Sequence, residues 1–332
     1  MSQLPPPESF DDHTLVEYVE SALLVEGEGH LSLAELVSRF PSGQRPTSAD
    51  TGLIRSEVMR RAFLLPEIYP FRADDAGVFR LANRTFGPYD FLLLVSIENA
   101  PYRLQNRYNE ANKIFDLLVR EALKARLTPG GDAVRFGTPV QDGRPQLFEQ
   151  AVPWLAERMG LAVLATDLPV DDNDAGVDVV AWHPFASGRS GFPVWLVQCT
   201  LQMNFENKAL QIPLELWKQM IDIGPHPGTA LAIPFTVRDG DDRWMKVNMA
   251  VTSLLDRIRI CEMLVAAELA GLAEFSDLGR FVAKEIDLLQ DVVDNDDAGQ
   301  SAPAGARRKA KVPRVSKPRR QREAQSRHAL RR

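Results

Sequence analysis

Cysteine is nearly missing from this chain, whose 332 residues hold only Cys199 and Cys261. Two thiols cannot build a disulfide framework or a cysteine-rich zinc site, and a reducing cytoplasm is the expected setting. The five histidines are scattered, and none pairs with another at the spacing that sets two imidazoles on one helix face. No uninterrupted apolar run approaches the ~20 residues of a membrane-spanning helix. The opening MSQLPPPESFDDH is polar and acidic, where a secretory signal would be basic and then apolar. No membrane partner is expected.

What remains is an ordinary globular composition, 45% hydrophobic and 25% charged. The length admits two domains, because single cores stop growing near ~250–300 residues. The overall charge of -6 conceals an asymmetry. Residues 307–332 hold twelve Lys/Arg against one acid, Glu323, a net of +11, so the remainder carries -17. That block has almost no large apolar side chains and cannot bury enough surface to fold alone. It reads as a disordered arm on an acidic body, gaining affinity for DNA by counterion release without reading its sequence. A solubility or assembly tail, or an arm folded against the body, is the alternative.

Residues 1–100 read as a mainly helical domain. Leu15, Val16, Val19, Leu23 and Leu24 recur at helical spacing, and Leu31 to Phe40 is a second amphipathic segment headed by Ser32. SADTGLIRSEVMRRAFLL is a third, with Ser48 or Asp50 as its cap, and GVFRLAN is a short extended piece. This succession is compatible with a winged helix and equally with a small helical bundle that contacts protein. Residues 101–138 read as a connector, a long helix over Asn109 to Arg126 followed by a breaker-rich loop.

Residues 139–292 form the second domain, and 293–332 a disordered tail that is basic from 307. The domain opens with the helix PQLFEQAVPWLAERMG, bent at Pro153 and ended by Gly160. LAVLAT reads as a strand. After the acidic turn DDND, VDVVAWHP and VWLVQCT are strands joined by the loop FASGRSGFP. NFENKALQIPLELWKQMI is a helix that bends or restarts at Pro213, GTALAIPFTV is a strand, and KVNMAVTS through VAKEIDLL is helical. The order helix, three strands, helix, strand predicts an α/β sandwich around a mixed sheet.

Two of these strands each carry a polar residue among aliphatics, Asp178 in VDVVAW and Gln198 in WLVQCT. Burying such a group unpaired costs roughly 1–3 kcal/mol on mutational scales. Side chains alternate along a strand, so Gln198 and Thr200 share a face and Cys199 takes the other. Asp178 and Gln198 are therefore read as meeting on adjacent strands to hold a hydrated Mg²⁺, with Mn²⁺ as a substitute. Mg²⁺ takes oxygen ligands and needs only one or two protein carboxylates. The plainer alternatives are an aspartate bonded to backbone amides and a satisfied buried amide.

These residues and their order resemble the PD-(D/E)XK nuclease superfamily, the restriction-endonuclease-like αβββαβ fold, and Mrr-type restriction nucleases in particular. The likeness spans roughly residues 140–240. Gly176-Val177-Asp178 is similar to the Gly-hydrophobic-Asp strand of that family, and Gln198-Cys199-Thr200 to its Gln-x-Lys strand. The family's helix acid corresponds to Glu149 in LFEQAV, with Glu157 as an alternative. The resemblance implies that Asp178, Gln198 and Glu149 ligate the metal. Thr200 stands where the family has lysine, and Lys208 in NFENK, with Asn204 near it, would supply the charge from the next helix. It further implies a metal-dependent DNA endonuclease of a bacterial restriction or anti-phage defence system, acting as a homodimer or with a partner subunit. A catalytically inactive nuclease fold that binds DNA or serves as a scaffold is the alternative.

Overall fold

The computed structural model describes residues 3–27, 29–81, 85–97, 107–140, 143–165, 175–238, 240–265, 267 and 273–300. The DDND turn at 171–174, with Asp174, and the arm at 301–332 lie outside the described residues. Within them the chain is mixed α/β, with ten helices and two sheets. None of these helices is long and apolar enough to cross a membrane.

The N-terminal unit is built on local signals. Helix α1 (Asp12–Glu26) is capped by Asp11, which accepts from the Thr14 amide at 2.8 Å, and closes on Gly27 at φ 71°. Strand β1 (His30–Ser32) runs into α2 (Leu33–Ser38), headed by Ser32 as its sequence indicates. Helix α3 (Ser48–Leu64) is capped by Thr47 rather than Ser48 or Asp50. Asp50 instead closes a capping box by accepting from the Thr47 amide at 2.6 Å. Strands β2 (Phe71–Ala73) and β3 (Gly77–Arg80) complete an antiparallel sheet of order β1-β3-β2. Helix α4 (Pro88–Ser96) is buried from Tyr89 through Val95, a stretch apolar except for Asp90, which accepts from the Gly87 amide at 2.8 Å and pairs with Arg80 at 3.2 Å.

The second unit has the order α5 (Tyr108–Leu127), β4 (Asp132–Arg135), α6 (Phe148–Met159), β5 (Val179–Trp182), β6 (Val194–Cys199) and α7 (Leu214–Met220). It continues with β7 (Gly228–Ala232), α8 (Asp242–Ala250), β8 (Ser253–Leu255), α9 (Arg257–Leu264) and α10 (Ala273–Gln300). The sheet has the order β4-β5-β6-β7-β8, antiparallel from β4 to β6 and parallel from β6 to β8.

Several expectations change. The connector is no connector, because α5 packs on the sheet and β4 is its first strand. LAVLAT contributes only an isolated bridge, Val163 to Ile221. The segment between α8 and α9 is not helical throughout, since Ser253–Leu255 adds β8. Pro213 does restart a helix, capping α7 after a single 3₁₀ turn at Phe205–Asn207. Helix α10 runs on to Gln300, into residues expected to belong to the tail.

The two sheet faces are covered differently. Val179, Ala181, Val197, Ala230 and Ala232 join the cluster that contains Ile114, Phe115 and Leu118 of α5. Val180, Trp182, Val194 and Leu196 join Ala151, Val152 and Leu155 of α6 and Trp217 of α7. Leu231 and Leu254 pack with Val247 of α8. The first cluster continues through α1, α4 and α10, so the two units share one core.

Buried charge stitches the units together. Arg257 of α9 donates to the Pro234 carbonyl at 2.9 Å and to Ser96 Oγ at 2.6 Å, and pairs with Glu17 of α1 at 2.8 Å. Arg61 of α3 pairs with Glu17 at 2.9 Å and Glu20 at 3.0 Å, while Tyr69 and Tyr89 donate to Glu20 at 2.5 and 2.7 Å.

Candidate active site

A cleft of about 670 Å³ opens where α5 crosses the end of the β5–β6 pair. Asp178, Gln198, Thr200 and Lys208 all line it, together with Asp116, Cys199 and Gln211.

The hairpin delivers Asp178 and Gln198 to adjacent strands. The register pairs Val179 with Val197, and the Asp178 amide donates to the Val197 carbonyl at 2.9 Å, so Asp178 falls opposite Gln198. The turn into β5 is built by Ala175 at φ 47° and Gly176 at φ 69°, successive left-handed residues. Trp217 anchors that turn, its Nε1 donating to the Ala175 carbonyl at 3.1 Å. A Cβ on Gly176 would stand 2.6 Å from the Gln211 carbonyl, so glycine is also required by close approach.

Asp178 is half-buried, and its Oδ2 accepts from the Cys199 amide at 2.7 Å. Gln198 is 7% exposed. By alternation it shares the face of Val194 and Leu196, between the cluster under α6 and the cluster under α8. Its Nε2 reaches toward Gln211 Oε1 at a long 3.5 Å, and its Oε1 is buried with no hydrogen-bond partner. Thr200 is buried, and its Oγ1 accepts from the Gln202 amide at 3.1 Å.

Glu149 is not part of this arrangement. It is exposed in the first turn of α6 and does not line the cleft, and Glu157 on the same helix is also exposed. Helix α6 covers the face of Val180 and Leu196, whereas residues of α5 line the cleft. The acid that enters the cleft from a helix is Asp116, with Tyr108 and Asn112 on the preceding turns. Its signal in the sequence is a carboxylate inside IFDLLV, where Ile114, Phe115, Leu117 and Leu118 are all buried.

Asp116 Oδ2 accepts from Arg135 Nε at 3.0 Å. Burial, and next the charge of Asp178, push the Asp116 carboxyl up to about 8, outweighing Arg135 and a hydrogen bond from the Cys199 thiol. Burial, followed by the charges of Asp116 and Asp178, pushes that thiol well above its ordinary value, which disfavours the thiolate. Asn204 is exposed and outside the cleft lining. His183 lies beyond the far end of β5, with Nε2 3.1 Å from the Pro129 carbonyl, and His226 lines a different groove.

Among the described residues no three His, Cys, Asp or Glu side chains are grouped to hold a metal ion. The oxygen-bearing side chains that line this cleft include Asp178, Asp116 and Gln198, whose amide oxygen is buried without a hydrogen-bond partner. Such a set suits a hard cation that retains most of its water. No protein-family model, no curated protein and no solved structure matches this chain.

Proposed function

We propose that this chain is a metal-dependent nuclease that hydrolyses phosphodiester bonds in DNA, within a bacterial restriction or anti-phage defence system. The observation that carries the reading is Gln198 Oε1, a buried acceptor without a donor in the same cleft as the Asp178 carboxylate. An acceptor withheld from water in this way costs roughly 1–3 kcal/mol, and a cation relieves that cost. The element order supports it as well. From α5 through β7, leaving α6 aside as an insertion, the chain reads αβββαβ with strands side by side in the order β4-β5-β6-β7. In that frame the helix acid is Asp116, not Glu149.

Asp178 and Gln198 Oε1 would hold Mg²⁺ or Mn²⁺, with Asp116 beside them. When bound, the ion supplies a water of lowered pKa and shields the phosphoryl oxygens. The chain's own residues then bind and orient. The Cys199 amide fixes one oxygen of Asp178. Lys208 lines the cleft, and its ammonium has no ion-pair partner among the described residues, so it offers the positive charge that Thr200 cannot. The Thr200 hydroxyl accepts from Gln202 and keeps its own proton to donate to a water or a phosphate oxygen. Arg135, paired with Asp116 at 3.0 Å, offsets part of the negative charge that would repel a phosphate.

Plasmid cleavage tests this. The full-length chain should nick or linearise plasmid with Mg²⁺ or Mn²⁺. Asp178→Ala should lower cleavage by more than about a hundredfold, since loss of an outer-shell partner alone reaches 10–100-fold. No cleavage by the wild-type chain with either ion rejects the reading. Thr200 at the lysine position favours a second one, a nuclease fold kept for binding. DNA binding without cutting, unchanged by Asp178→Ala, would select it.

A further inference from the structure

Strand β4 ends at Arg135, and the next residues turn across the start of β5. The Phe136 and Gly137 amides both donate to the Asp178 carbonyl, at 2.6 and 2.9 Å. Arg135 shapes that turn. Its buried guanidinium donates through Nε to Asp116 at 3.0 Å and through Nη1 to the Pro139 carbonyl at 2.7 Å, tying the segment to α5. Thr138, inside the turn, lines the cleft. The backbone of Gly137 is not left-handed, so its torsions do not call for glycine. Close approach does. A Cβ at this position would stand 2.6 Å from Asp178 Oδ1, 3.1 Å from its Cα and 3.3 Å from its Cβ.

We infer that Gly137 is a positioning residue for the cation-binding carboxylate, a role that rests on the metal reading above. Its bare Cα is the wall against which Asp178 Oδ1 stands, while the Cys199 amide holds Oδ2 at 2.7 Å from the neighbouring strand. The carboxylate stands between two backbone segments, with one oxygen held by the Cys199 amide and the other beside Gly137. A methyl at 137 has little room to retreat, because the Phe136 and Gly137 amides are both bonded to the Asp178 carbonyl and hold the two backbones together. The response left is rotation of the Asp178 side chain, which breaks its bond to Cys199 and moves it relative to Gln198.

The test uses Mn²⁺ alone as the probe, titrated into the full-length chain and followed by electron paramagnetic resonance, with circular dichroism and melting on the same samples. Gly137→Ala should weaken Mn²⁺ binding by at least about tenfold, the loss that an overpacked contact of this kind produces. It should leave the helix and strand signal unchanged. Equal affinity in wild type and Gly137→Ala overturns the positioning role and leaves the metal reading standing. No Mn²⁺ binding by the wild type removes the metal reading, and the inference with it. Should Gly137→Ala fail to fold, Gly137→Ala with Asp178→Ala decides, since without the carboxylate only the 3.1 and 3.3 Å approaches remain. Recovery of the fold locates the clash at the carboxylate; continued unfolding gives Gly137 to the backbone alone and overturns the role.

Discussion

A carboxyl group surrounded by Ile114, Phe115, Leu117 and Leu118 has to be held by something, and Asp116 is held by Arg135 and the Cys199 thiol. Its pKa near 8 has a consequence for stability. Between the ordinary value of 3.8 and about 8, the folded chain binds a proton that the unfolded chain has released. The stability linked to this group is therefore complete at low pH and is lost as pH rises through that window. Urea denaturation across pH 4–8 should show this fall, and Asp116→Asn, which cannot titrate, should remove it. Identical slopes for the two proteins would mean that Asp116 is ionised throughout. Legibility at this scale followed contrast. Asp178 and Gln198 stood out as polar interruptions of apolar strands, and both reach the cleft. Asp116 lay in an equally apolar run but on a helix, where one acid per turn is commonplace and draws no notice.

Among the elements, long periodic or alternating segments were readable, and short ones were not. The β5–β6 hairpin and α5 follow from their patterns. Strand β4 is DAVR, with a charge at either end, so its apolar content is two residues, and its place in the sheet comes from pairing with β5. LAVLAT is more apolar, yet its described residues pair with the segment at Met220–Asp222 only through an isolated bridge. Tertiary pairing overrode local preference in both cases. The same scale explains how α1, α3 and α9 are held. Burial alone would push the Glu17 carboxyl up; Arg257 and then Arg61 outweigh it and hold Glu17 well below the usual carboxylate range. Arg257→Met should cost about 3–5 kcal/mol in chemical denaturation, because it removes one of the two arginines paired with Glu17 from a largely buried ion-pair network. Adding Glu17→Gln should return part of the loss. A cost under about 1 kcal/mol would show that apolar packing alone joins the units.

At the scale of the whole molecule the difficulty is charge. The chain without residues 307–332 carries -17, and the cleft proposed to receive a phosphate contains Asp116 and Asp178 with the single cation Lys208. The N-terminal unit adds little attraction. Its order of helix, strand, helix, helix and two strands is compatible with the winged helix considered from the sequence, yet the cations along α3 are occupied. Arg55 pairs with Asp75, Arg60 with Glu57, and Arg61 is buried among acids. Leu53, Met59 and Phe63 are its exposed large apolar side chains, a poor surface for a phosphate backbone. If the chain engages DNA, the arm must supply the attraction. Each phosphate neutralised contributes a slope of roughly -0.9 in log affinity against log salt on duplex DNA. Deleting residues 307–332, a net of +11, should therefore flatten that slope by several such contributions and weaken binding most at low salt. A slope unchanged by the deletion would place the phosphate contacts on the folded body and return the arm to solubility or to a contact with the chain's own acidic surface.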